Sequence, residues 1–231
     1  MKKHVIITGA SRGIGYETAK YLADAGCTIT VIARSDEKLN TLKSHKPDSI
    51  FPLPLDITSD DASSRINEHL KQNSLTIDGL IHNAGLLINK PFTKLSDSDW
   101  HSQMAVNILA PVRLTRDLLP FFNENAHILN ISTMGGFQGS AKFPGLSAYS
   151  TSKGALSILT ECLAVELAEQ NIACNCLCLG AVQTEMLQEA FPGMKAPVEP
   201  EQMGEFVGNF ALNAHKFFNG KILPVALNNP S

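Results

Sequence analysis

Residues 4 to 15 read His-Val-Ile-Ile-Thr-Gly-Ala-Ser-Arg-Gly-Ile-Gly, an apolar run rich in β-branched residues, then Gly9, Gly13 and Gly15, with helical patterning over 14–25. That is a strand, a tight turn and a helix in immediate succession. Glycines in such a turn let the backbone approach a pyrophosphate closely, and the helix start offers free N–H groups and the positive end of its dipole. Apolar runs at 4–8, 28–33, 50–55, 78–82, 126–131, 172–178 and 221–225 then alternate with helical patterns at 14–25, 36–44, 60–72, 100–121, 150–169 and 200–212. Alternation of this kind predicts a parallel sheet with helices on both faces. Runs such as Ile128-Leu129-Asn130-Ile131 suit strands buried on both sides.

The 231 residues fit one domain, 1–231, with a small substrate loop or lid at about 183–199. Stretches bearing glycine and proline at 86–98, 134–148 and 180–200 read as long loops, each following a predicted strand. Ligands in an open α/β sheet lie beyond the carboxyl ends of the strands, so these three loops are expected to form the mouth of a site. A net charge of −3, from 19 basic and 22 acidic residues, gives no electrostatic reason to expect nucleic acid or an anionic membrane as partner. Met1-Lys2-Lys3 leads straight into the first strand, and the apolar run there is too short for a signal peptide or a membrane span, so a cytoplasmic location is expected. Cys174, Cys176 and Cys178 alternate along one predicted strand. Alternate strand residues stand roughly 7 Å apart, too far to converge on one zinc ion, so no metal is expected and the thiols read as small buried hydrophobes.

Tyr149 and Lys153 stand four residues apart in Ala-Tyr-Ser-Thr-Ser-Lys-Gly, on one face of a predicted helix. A phenol with a reference pKa of about 10 is a poor proton carrier at neutral pH, and a fixed cation beside it is expected to pull that value down. The pair reads as a tuned acid and base.

Taken together, Thr8-Gly-x-x-x-Gly-x-Gly15, Asn83-Ala84-Gly85 after the fourth strand, and Tyr149-x-x-x-Lys153 resemble the short-chain dehydrogenase/reductase family over nearly the whole chain. The resemblance implies a Rossmann-type doubly wound sheet of about seven strands and a metal-free oxidoreductase in which a nicotinamide carries the hydride. It implies that Tyr149 exchanges a proton with the substrate oxygen and that Lys153 lowers the tyrosine pKa and bonds the nicotinamide ribose. Asn107 matches the helix residue that holds a water in a proton relay. Cofactor contacts are implied for Gly9, Ser11, Arg12, Gly13, Ile14 and Gly15, for Asp56 and Ile57 near adenine, and for Asn83, Ala84 and Gly85 along the adenosine ribose. They are implied also for Gly180, Val182 and Thr184 near the carboxamide, and for Tyr149 and Lys153 themselves. His82, where relatives often have another Asn, reads as packing. Relatives pair through helices matching 100–121 and 150–169, so a homodimer or homotetramer is expected.

The second strand ends Thr30-Val-Ile-Ala-Arg34-Ser35, without the carboxylate that usually holds the ribose hydroxyls of NAD. Arg34, with Arg12 from the glycine turn, favours NADP(H) over NAD(H), although either arginine can also be read as a solvated surface charge. Asp36 and Glu37 come too late for the ribose and suit the first turn of the next helix. Two positions depart from the family pattern. Ser132-Thr133 replaces the usual Ser-Ser, leaving Thr133 or Ser132 as the catalytic hydroxyl with Thr133 preferred, and Leu179-Gly180 replaces Pro-Gly. The loop from Met134 to Ala148 is about three residues longer than is common in the family.

The expected activity is hydride transfer between NADP(H) and a small or medium carbonyl or alcohol. Phe137, Phe143, Met186, Leu187, Phe191 and Met194 read either as contacts for a partly apolar substrate or as lid packing. A 3-oxoacyl-(acyl-carrier-protein) reductase is the alternative enzyme, for which Lys142 and Lys195 would greet an acidic carrier; the ending Gly220 to Ser231 departs from the glycine-rich finish common among such relatives. A cofactor-sensing or scaffold protein without turnover is the alternative of another class.

Overall fold

The computed structural model describes residues 2–227; Met1 and residues 228–231, which complete the atypical ending, lie outside the described residues. The strands are β1 His4–Thr8, β2 Thr28–Ala33, β3 Ile50–Pro54, β4 Ile77–His82, β5 Phe122–Thr133, β6 Ala173–Leu179 and β7 Ile222–Val225. The α-helices are α1 Gly13–Asp24, α2 Asp36–Lys43, α3 Ala62–Gln72, α4 Asp97–Met104, α5 Ala110–Leu118, α6 Ser147–Glu166, α7 Glu185–Ala190 and α8 Pro200–Asn213.

All strand pairs are parallel, in the order β3-β2-β1-β4-β5-β6-β7. Because β1 stands between β2 and β4, the chain winds one way from β1 to β3 and the other way from β4 onward. A crevice opens at that reversal, beyond the carboxyl ends of β1 and β4.

Alternation along each strand divides the core into two layers. Val5 and Ile7 of β1 pack with Ala19 and Leu22 of α1, Leu39 of α2, and Met203 and Val207 of α8. Ile6, one residue out of phase, packs on the other face with Ile66 and Leu70 of α3 and Leu114 and Leu118 of α5. All of these are buried, each of the larger aliphatic side chains contributing about 1.5–3 kcal/mol through removal from water. Cys174, Cys176 and Cys178 are buried on the layer covered by α6, with Ala164 on the first and Met134 on the other two.

Two regions differ from expectation. The expected 100–121 helix starts at Asp97, because Ser96 and Asp99 close a capping box, and a π-helical turn over Ala105–Leu109 separates α4 from α5. Pro111, in the first turn of α5, has no N–H to give to the carbonyl four residues back, which is that of Asn107. Within the 180–200 loop, α7 forms under a Thr184 cap whose hydroxyl accepts from Leu187 N–H. Asp36 and Glu37 do open α2, behind a Ser35 cap.

Candidate active site

At the topological reversal the chain is tightly drawn together. The Asn83 amide donates to the carbonyls of Thr8 at 3.1 Å and Gly9 at 3.0 Å, and Ala84 N–H donates to Thr8 Oγ1 at 3.2 Å. This closeness dictates two glycines. Gly9 has φ 71°, and a β-carbon there would meet Ala84 Cα at 2.6 Å; one at Gly15 would meet Asn83 Nδ2 at 2.3 Å. Gly15 therefore does not line the crevice as expected, but lets α1 pack against Asn83 behind it. Gly13, with φ 58°, leaves the start of α1 bare toward the cavity.

A single cavity of about 1120 Å3 runs from this turn to Tyr149. It is lined by Gly9, Ser11, Arg12, Gly13 and Ile14 at one end, by Asn83, Ala84 and Gly85 along the floor, and by Ser132, Thr133, Tyr149 and Lys153 at the other end. Gly180, Val182 and Thr184 complete the wall under α7. The left-handed glycine turn, the bare helix start and the elongated shape fit a dinucleotide.

Arg34 and Asp56 flank the glycine end, together with Ile57 and two residues not anticipated, Ser35 and Lys38. Lys38 lies in the first turn of α2, so three cations, Arg12, Arg34 and Lys38, converge there. Asp56 Oδ1 accepts from Thr58 N–H at 2.9 Å and from Thr58 Oγ1 at 2.7 Å. These bonds, with Arg34 nearby, hold its carboxyl below the usual range. Arg12 is bound to Glu189 of α7.

At the opposite end, Lys153 is buried and its Nζ donates to the Ile131 carbonyl at 2.7 Å. Ser132 is buried as well, its hydroxyl donating to the Lys153 carbonyl at 2.9 Å. Thr133 Oγ1 accepts from Gly135 N–H at 3.3 Å and keeps its own proton unassigned. The Tyr149 hydroxyl, among the described residues, has no hydrogen-bond partner. Burial pushes the Tyr149 phenol up to about 12 and the Lys153 ammonium down to about 8. The expected lowering of Tyr149 by Lys153 is not seen: the ammonium is turned toward the Ile131 carbonyl, and burial raises the phenol.

Asn107 stands behind the cavity rather than in it. Its Oδ1 accepts from Leu86 N–H at 2.8 Å, and its Nδ2 donates to the Leu86 carbonyl at 2.9 Å and to Ser152 Oγ at 2.9 Å. Ser152 Oγ in turn donates to the Tyr149 carbonyl at 2.8 Å, a positioning contact that the sequence alone did not single out. Gly85 separates Asn107 from Lys153, since a β-carbon there would lie 3.6 Å from both Asn107 Oδ1 and Lys153 Nζ. Gly136 presses against α6, where a β-carbon would meet Gly154 N and the Lys153 carbonyl carbon at 2.8 Å. His82 is buried, bonded to Thr115 Oγ1 at 2.9 Å, and burial first, then Lys153, pushes it down to about 3. It takes no part in the cavity.

The short chain dehydrogenase family model matches residues 3–195. The chain is 31% identical over 186 residues to nodulation protein G of Rhizobium sp. (strain N33), covering 80% of this chain and 75% of that one. It is 30% identical over 192 residues to a 3-oxoacyl-(acyl-carrier-protein) reductase of Thermotoga maritima, covering 81% and 77%. A 3-ketoacyl-(acyl-carrier-protein) reductase from Brucella melitensis, solved with NADH, shares the fold with a TM-score of 0.87 at 24% identity, over 96% of each chain.

Proposed function

The chain belongs to the short chain dehydrogenase family, and from that membership we propose that it is an NADP(H)-dependent reductase of a small or medium carbonyl compound, running in reverse as an alcohol dehydrogenase. The observation that carries this reading is the single cavity that joins the glycine turn and its three cations to Tyr149, Lys153 and Thr133. The described residues, 2–227, act as one domain, with residues 183–199 as a lid.

A bound nicotinamide supplies the hydride. The residues of the chain position the carbonyl and handle one proton. Tyr149, held neutral at physiological pH by burial, donates from Oη to the substrate oxygen. An alkoxide is a stronger base than a phenolate, so that transfer runs downhill even from a phenol held at about 12. The Thr133 hydroxyl, free to donate, stabilises charge developing on the same oxygen. Ser132 is committed to the Lys153 carbonyl and positions α6 instead. The Lys153 ammonium offsets the phenolate as the proton departs. Asn107, whose side chain is fixed to Leu86 and Ser152 behind Lys153, is the residue that would hold a water reconnecting Lys153 to solvent.

Arg12, Arg34 and Lys38 form the site for a 2′-phosphate, with no carboxylate at the end of β2 to prefer a free ribose hydroxyl. A carrier-protein substrate is the less favoured reading, although relatives carry that name. Lys142 Nζ is tied to the Phe137 carbonyl at 2.6 Å and Ser140 Oγ at 2.8 Å, and so does not reach outward. Among the described residues no helix is long and apolar enough to cross a membrane, and we place the enzyme in the cytoplasm. Exposed Leu109, Ile158 and Val165, on the α4–α5 junction and α6, provide an apolar face for pairing with a second copy.

The test is NADPH oxidation against a panel of aldehydes, ketones, diketones and acyl thioesters, with NADH in parallel, for wild type and Tyr149→Phe. Turnover with NADPH preferred, abolished in the variant while its cofactor affinity stays, is the expected result. Full activity in Tyr149→Phe would sink the mechanism, and cofactor binding without turnover on any substrate would shift weight to a sensing role.

A further inference from the structure

Helix α7 spans the cavity mouth. On one side Asn89 Nδ2 donates to the Ala190 carbonyl at 2.9 Å. On the other, Arg12 Nη1 and Nη2 donate to the two carboxylate oxygens of Glu189 at 2.5 and 3.2 Å. Arg12 is one of the three cations assigned above to the 2′-phosphate. Its bond to Glu189, then its charge, then that of Lys38, hold the Glu189 carboxyl below its ordinary value, so Glu189 feels two of the three. Glu185, one turn earlier on α7, adds a second negative charge near Arg12.

A guanidinium presents its forked N–H pairs equally well to a carboxylate and to a phosphate. Glu189 already occupies the fork. A phosphate bound to Arg34 and Lys38 would meet both that engaged fork and a like charge beside it. We infer that Glu189 is an internal competitor for the 2′-phosphate, and therefore a residue that sets how strongly the protein discriminates between NADPH and NADH. NADPH must take Arg12 from Glu189, releasing the α7 side of the lid; NADH leaves the Arg12–Glu189 pair closed. The position of the lid thereby depends on which cofactor is bound. This inference rests on the reading of Arg12, Arg34 and Lys38 as the phosphate site.

The experiment compares dissociation constants of NADPH and NADH, by calorimetry at low salt, for the full-length wild type, Glu189→Gln and Arg34→Asp. Removing one exposed competing charge is worth roughly a 1.5-fold to fivefold change in binding. Glu189→Gln is expected to tighten NADPH by that factor and to leave NADH unchanged. Unchanged or weakened NADPH binding in Glu189→Gln, or equal tightening of both cofactors, overturns the inference. Arg34→Asp separates the two levels: if it weakens NADPH while Glu189→Gln tightens nothing, only the competitor role falls. If Arg34→Asp leaves NADPH binding unchanged, the phosphate site and the competitor role fall together.

Discussion

At one end of the cavity Lys153, Ser132 and Asn107 are buried, and each is tied to backbone of a neighbouring element. At the other end Arg34 and Lys38 are exposed, and Arg12 is engaged by a side chain of α7. The first arrangement is fixed by bonds that solvent does not reach and that would be costly to leave unmade. The second consists of long, screened charges whose pairing is cheap to rearrange. On the function proposed above, geometry that must be held to a fraction of an ångström is built from the interior, while the choice between two cofactors differing by one phosphate falls to the surface.

The hardest test of that contrast lies in two adjacent hydroxyls. Thr133→Val is expected to lower kcat by about 10²–10³, the usual effect of deleting a donor to a developing oxyanion, with the fold intact. Ser132→Ala should retain most turnover and lose about 1–2 kcal/mol of stability. The reverse pattern in steady-state kinetics and denaturant titration would return the catalytic role to Ser132.

Acid should find the interior next. Burial holds His82 at about 3 and His127 and His4 at about 4, against 6.5 in the unfolded chain. The unfolded state therefore takes up protons first, so stability complete above 6.5 is lost as pH falls toward 4. Urea unfolding at about pH 7.5 and about pH 5 is expected to differ by a few kcal/mol. A flat profile would mean that these histidines are hydrated in solution.

The exposed corner should give the smallest and most salt-sensitive response. Arg34→Asp is expected to move the ratio of NADPH to NADH affinity about tenfold toward NADH. The effect should shrink in high salt; a salt-independent change would argue that Arg34 acts through backbone packing instead.

The buried strands were legible because residues such as Ile6 and Ile128 sit in continuous apolar runs, the mark of parallel strands covered on both faces. The glycine turn was legible because its backbone demands are local. Other features were written less plainly. The Ser96 and Asp99 capping box was present as a signal, and Pro111 marked the break after Asn107, but a π turn has no pattern of its own. At six residues, α7 is too short to show periodicity. Arg12 and Glu189 are 177 positions apart, and nothing near either one announces the other. The raised phenol of Tyr149 has a related cause: spacing shows that a lysine is near, whereas the burial that raises the pKa comes from the whole fold.

The bonds that hold Asn107, Ser132 and Lys153 end on Leu86, Ser152, Lys153 and Ile131, with no partner in the substrate loop beyond Gly136 or in 180–200. Those two segments are consequently free to drift in sequence and length without disturbing the proton-handling machinery. On the function proposed above, a lineage with this wall could change its substrate by rewriting its loops, and a library confined to the cavity-lining Phe143, Met186, Leu187, Phe191 and Met194 should alter substrate preference.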